Sequence, residues 1–189
     1  MRFGLLVLLP FLLTGCRTTP ATLDTAKPFH DALAARTGSL GPVKGSETER
    51  AAVQQVKDFF AVMTEASVRK LTRQVYAPEA YLNDTLKSLT GAAAIEDYFL
   101  SSVRNAESVT VRFEDVAESS GNYYFRWVME TRLKKLRAGE TIRTIGITLI
   151  RFDAQGRVVL HQDFWDSTAG LFEHVPVLGT AIRGLKSRI

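Results

Sequence analysis

The sequence predicts an α+β domain in which helices come first and then lie on one face of a curved antiparallel sheet. Three observations carry this. Apolar residues recur at helical spacing in three stretches between residues 46 and 104, and from residue 108 the period drops to two. Short polar segments with glycine, at 119–122, 137–140 and 153–156, cut the second half into four strands. A run of helices followed by a run of strands is an α+β order.

The chain has 189 residues, 46% apolar and 23% charged, which suits one packed domain and excludes a disordered chain, a collagen or a coiled coil. The net charge of +4, from 24 basic and 20 acidic side chains, is too small and too dispersed to indicate nucleic-acid binding. A single cysteine, Cys16, leaves no internal disulfide and no cysteine-rich zinc or iron–sulfur centre. His30 and His174 show no ligand spacing, so no metal or other cofactor is expected.

Residues 1–15 place Arg2 before an apolar run from Gly4 to Leu13, which is the layout of a signal peptide and too short to span a bilayer comfortably. The segment Leu13-Thr14-Gly15-Cys16 resembles the bacterial lipoprotein signal. That resemblance implies a diacylglycerol on the Cys16 sulfur, cleavage before Cys16 and fatty acylation, such as palmitate, of the new amino group. Two or three chains anchor firmly, where one does not. Arg17 in place of Asp implies a cell-envelope protein held at the periplasmic face of a Gram-negative outer membrane. The alternatives are an ordinary secretory leader with an incidental cysteine, or a buried N-terminal strand.

Residues 16–46, rich in Thr, Pro, Gly and Ser after the acylated cysteine, read as a flexible tether with a short helix within 27–36. Ser46 and Glu49 form a capping box that starts the first helix of the domain, with Val53, Val56, Phe60 and Met63 on its apolar stripe. A second helix carries Val68, Leu71 and Val75 and stops at Pro78. Residues 80–84 read as a short strand, and 91–104 as a third helix with Ile95, Tyr98, Phe99 and Ser102 on one side. The four strands follow at 109–116, 123–136, 141–152 and 158–166. In the C-terminal segment, 171–189, Leu178, Ile182, Leu185 and Ile189 make an apolar stripe beside Arg183, Lys186 and Arg188. Such a helix either packs on the domain or lies on an anionic leaflet.

The order of these elements, with Tyr-Leu-Asn-Asp at 81–84, Gly91-Ala-Ala-Ala-Ile95 opening a helix, and Gly156-Arg157-Val158 leading into His161-Gln-Asp-Phe-Trp-Asp166, resembles the SnoaL-like branch of the nuclear transport factor 2-like superfamily over residues 47–170. The resemblance implies a cone: the sheet wraps round, the helices close it, and an apolar cavity opens at the wide end. Such cavities serve isomerases, cyclases, epoxide hydrolases, dehydratases and non-enzymatic binders, and many such proteins dimerise through the outer sheet face.

Strand parity puts His161, Asp163 and Trp165 on one face of the last strand. By similarity to limonene-epoxide hydrolase, Asp163 matches the base that activates water, with Tyr81 and Asn83 as its helpers. The long strand departs from that pattern, because Trp127 and Met129 most simply stand where an Arg and a general acid are needed, and a neighbouring register supplies Arg126 but puts Val128 in the place of the acid. Asp163 is either this base or a structural carboxylate, and His161 either a pocket ligand or a satisfied core histidine. Trp127, Met129, Trp165 and Phe125 are either core or lining of a ligand cavity. The expected function is a membrane-anchored lipoprotein that binds a small hydrophobic ligand. The alternatives are an enzyme (hydrolase, isomerase or cyclase) built on Asp163, Tyr81 and Asn83, or a non-catalytic envelope interaction protein.

Overall fold

The computed structural model describes residue 24 and residues 26–36, 41–137 and 139–189. Cys16, the signal peptide at 1–15 and residues 17–23 of the tether lie outside the described residues. Helix α1 (Lys27–Ala34) carries Pro28 in its first turn, where a missing amide breaks no helical bond. Helix α2 (Glu47–Ala61) starts where the Ser46 hydroxyl accepts from the Glu49 amide at 3.1 Å. The reciprocal half of the expected box differs. The Glu49 carboxylate accepts from the Gly45 amide and from the Tyr123 hydroxyl, so it ties the helix start to the sheet. The helix stops short of Met63 because Val62 leaves it to pair with Thr110 of the sheet.

Helix α3 (Glu65–Val75) opens with a complete capping box between Thr64 and Ser67. It ends before Pro78, because strand β1 (Tyr76–Asn83) starts at once and is longer than the expected 80–84. Pro78 falls inside the strand, between Tyr76 and Tyr81, where the register with the neighbouring strand shifts. A residue without an amide is tolerated at such a break in the ladder. The unanticipated β2 (Ser88–Thr90) folds back on β1, and helix α4 (Ala92–Asn105) follows. Strands β3 (Ala106–Ser119), β4 (Asn122–Leu133), β5 (Ile142–Phe152) and β6 (Val158–Trp165) form the meander.

The six strands make one sheet in the order β2-β1-β6-β5-β4-β3. Its neighbours are antiparallel except for β1 and β6, which run parallel because the whole helix-and-meander excursion separates them in sequence. Helices α2, α3 and α4 cover the concave face. The core there joins Val56 and Phe59 of α2, Ile95 and Phe99 of α4, and Tyr76, Leu82, Phe125 and Ile150 of the sheet.

The convex face bears α1. Ala32 is buried against Tyr81, Leu149 and Leu160, with Phe29 and Leu33 packed around them. Arg36 clamps the helix end down by donating to the Val159 carbonyl at 2.7 Å and the Glu79 carbonyl at 3.1 Å. Residues 27–36 are therefore a docked part of the fold rather than a free tether, because the sheet offers them apolar surface and two open carbonyls.

After β6, Asp166 caps α5 (Ser167–Gly170) by accepting from the Ala169 amide at 3.0 Å. A 3-10 turn at Phe172–His174 then leads to α6 (Leu178–Lys186). Gly179 allows the two to touch, since a methyl there would meet the Glu173 carbonyl. The apolar stripe of α6 faces outward, with Leu178, Leu185 and Ile189 exposed and Lys186 paired to Glu173 at 2.5 Å. No described helix is long and apolar enough to cross a membrane.

Candidate functional site

The concave face and helices α2 and α4 enclose a cavity of about 400 Å³. Phe60 comes from α2, Met63 from the link that follows it, Phe99 from α4, Phe113 from β3, Trp127 and Met129 from β4, and Trp165 from β6. Both indoles fit because Gly146 stands between Trp127 and Trp165 across the ladder, and a methyl at that position would fall on the Trp127 ring.

One polar chain crosses this apolar space. The Trp127 indole donates to the Thr148 hydroxyl at 2.8 Å, and that hydroxyl donates to Oδ1 of Asp163. His161 Nε2 lies 3.0 Å from the same oxygen, and the Tyr76 hydroxyl lies 2.9 Å from His161 Nδ1. Burial, with the Asp163 charge added, pushes the Tyr76 phenol well above its usual range. Tyr76 therefore keeps its proton and stands at Nδ1 of His161, whose Nε2 faces Asp163. Both arms of the chain meet at Asp163 Oδ1, through Thr148 and through His161. The other oxygen, Oδ2, has no hydrogen-bond partner among the described residues.

A second polar group stands at the β1–β2 turn. Asp84 accepts from the Leu86 and Lys87 amides at 3.0 and 2.9 Å through Oδ1, and from the Tyr98 hydroxyl through Oδ2. Its carbonyl accepts from the Trp165 indole at 2.8 Å. Burial, then the bond to Asp84 and the charges of Asp84 and Asp163, hold the Tyr98 phenol above its usual range. Thr144, also in the lining, has a buried hydroxyl with no partner among the described residues. The described lining contains Asp84 and Asp163 but no Lys or Arg, and no described group of three His, Cys, Asp or Glu side chains could hold a metal.

The structure brings Asp163, His161, Trp165, Trp127 and Met129 together around the cavity. Phe125 lies behind it in the core, wholly buried and edge-on to Phe113 at 5.5 Å. Tyr81 and Asn83 do not join Asp163. They pair in register with Leu160 and Gln162, whereas Leu82 pairs with His161, so pleating sends both to the convex side. There Tyr81 sits in the cluster under α1, and Asn83 donates to Ser88 at 2.8 Å and to the Tyr81 hydroxyl at 3.3 Å.

Sequence reasoning missed Thr148 and Tyr76. Thr148 stands directly across the ladder from Asp163, a relation that appears once the β5–β6 register is known. Tyr76 sits at the helix-to-strand switch, where the expected continuation of the helix hid its strand geometry.

Residues 56–161 match the SnoaL-like domain family. No curated protein matches the sequence. Several solved structures share the fold. A Catenulispora acidiphila protein with a ketosteroid isomerase-like fold, solved in complex with trimethylamine, is 15% identical, with a TM-score of 0.55 over 64% of this chain and 88% of that one. An Exiguobacterium nuclear transport factor 2-like protein of unknown function is 15% identical, with a TM-score of 0.53 over 62% of this chain and 99% of that one. An epoxide hydrolase of M. tuberculosis, similar to limonene-epoxide hydrolase, is 11% identical, with a TM-score of 0.53 over 76% of this chain and 97% of that one.

Proposed function

The chain belongs to the SnoaL-like domain family, and we propose that it is a membrane-anchored binding protein whose cone takes a small, largely apolar ligand. The observation that carries the reading is the cavity of about 400 Å³, walled by aromatic and aliphatic side chains with a few convergent polar atoms. That size and composition are those of small-molecule sites. The membrane part rests on the order of Arg2, the apolar run and Leu13-Thr14-Gly15-Cys16, which suits lipidation of Cys16 at the cell envelope.

Native mass spectrometry of the full protein purified from its own envelope tests the cavity. A small molecule retained in the gentle spectrum and lost on denaturation is expected, and a spectrum holding the bare chain alone would overturn the reading. Anchoring is tested separately with Cys16→Ser, which should move the protein from the membrane fraction to the soluble fraction. Undiminished membrane retention of that variant would refute lipidation.

A proton-transfer role for Asp163 has one observation in its favour. Oδ1 is held by Thr148 and His161 while Oδ2 is left without a partner among the described residues, the state of a carboxylate ready to take a proton. The arrangement with Tyr81 and Asn83 as helpers does not support it, since both lie on the other face of the sheet. Turnover by this route would be that of a carboxylate base working with the Thr148 and His161 donors alone.

A further inference from the structure

Charge inside an apolar cavity is costly unless it is matched, and the carboxylates in the described lining of this one have no Lys or Arg beside them. Asp163 and Asp84 are both in the described lining, which holds no Lys or Arg. Lys87 stands over the Tyr98 ring at 5.4 Å but does not line the cavity. His161 is engaged at both ring nitrogens, by Tyr76 at Nδ1 and by Asp163 Oδ1 at Nε2, and leaves Asp163 Oδ2 open.

Asp84 has both oxygens engaged, by two backbone amides and by Tyr98. Asp163 has one oxygen engaged twice and the other not at all among the described residues. Trp127, Trp165 and Phe113 complete the surround with aromatic rings, whose faces attract cations.

From this arrangement we infer that the ligand is a small organic cation: an apolar body filling the cone and a protonated amine donating to Asp163 Oδ2. The inference rests on the cavity reading above and names the head group that reading leaves open. A carboxylate or phosphate head would be placed beside an unmatched negative charge with no cation to receive it. A neutral head would leave the Asp163 charge without its counter-ion. An ammonium makes a charge-assisted bond to Oδ2 and gains from the rings around it.

Titration calorimetry of the full protein with three probes on one ring skeleton tests this: cyclohexylmethylamine, cyclohexylmethanol and cyclohexanecarboxylate. The amine is expected to bind at least about tenfold more tightly than the alcohol, with the carboxylate weakest. In Asp163→Asn, checked for an unchanged fold by its melting curve, the preference of amine over alcohol should fall to within about twofold. Alcohol or carboxylate binding as tightly as the amine would overturn the inference and leave the cavity reading intact. Failure of all three to bind would overturn the cavity reading and the head group with it. The three-probe comparison on the unaltered protein decides the matter even if the variant does not fold.

Discussion

On strand β6, alternate side chains enter two different environments. His161, Asp163 and Trp165 face a cavity closed by helices from elsewhere in the fold, and the polar members of that set are tied into a chain that runs from Trp127 to Tyr76. Leu160, Gln162 and Phe164 face the convex side, where the covering among the described residues is α1. Leu160 is wholly buried there, while Phe164 meets Phe29 edge-on and stays 48% exposed. Each face leaves one buried side-chain oxygen without a partner among the described residues, Thr144 Oγ1 in the cavity lining and Gln162 Oε1 on the convex side. The longer linked set of polar groups, from Trp127 to Tyr76, is on the concave side, where groups isolated from water are satisfied by pairing with one another. Specific chemistry therefore sits on the concave side, and the convex side carries packing.

Substitutions of graded severity test this contrast. Phe125→Ala, behind the cavity wall, removes a fully buried ring and should cost about 3–5 kcal/mol in chemical denaturation. A loss below about 1 kcal/mol would mean that the concave core is looser than described.

Gly146→Ala should cost about 1–3 kcal/mol by overpacking, because the new methyl displaces the Trp127 ring. It should also reduce occupancy of the cone by ligand in native mass spectra. Stability and occupancy equal to those of the unaltered protein would show that the two indoles are not held as tightly as the register implies.

Thr148→Val takes one donor from Asp163 and the acceptor from the Trp127 indole, and should cost about 1–3 kcal/mol, measured as a lowered denaturation midpoint. On the other face, Phe164→Ser should stay within about 0.5 kcal/mol of the unaltered protein. A larger penalty there would show that α1 depends on the Phe29–Phe164 contact and that the convex face is more than a cover.

The acid limb of stability provides the mildest probe. Glu49 is held below the usual carboxylate range, first by the Tyr123 hydroxyl and then by the Gly45 amide. A depressed folded-state pKa adds stability that is present above the unfolded value and lost as the pH falls through the folded one. Tyr123→Phe should therefore flatten the fall in melting temperature on the acid side of the ordinary carboxylate pKa and leave its slope near neutrality unchanged.

Much of the architecture was legible because it depends on local periodicity. The stripes of α2, α3 and α4, the turns between strands and the face shared by His161, Asp163 and Trp165 all follow from spacing along one element. What failed depended on relations between elements. In the middle of β5 the more apolar alternate set is Ile145, Ile147 and Leu149, and that set points outward, while Thr144 and Thr148 line the cavity with Gly146 between them on the same face. Judged by hydrophobicity alone, this middle stretch of the strand would be turned inside out. The misplacement of Tyr81 and Asn83 has the same origin, since their face is set by a parallel pairing with β6 across a register shift at Pro78.

By itself the sequence determined the order of elements, the family pattern that residues 56–161 match, and the candidate base on the last strand. Those properties are written in spacing and in residue type, which act over one or two turns of chain. Only the tertiary structure decided which alternate residues meet, that Asp163 is held by Thr148 and His161 rather than joined to Tyr81 and Asn83, and that it shares its cavity with aromatic rings and, in the described lining, with no Lys or Arg. The physical reason is that a strand has two equivalent faces until a neighbouring strand and a covering helix make one of them the inside.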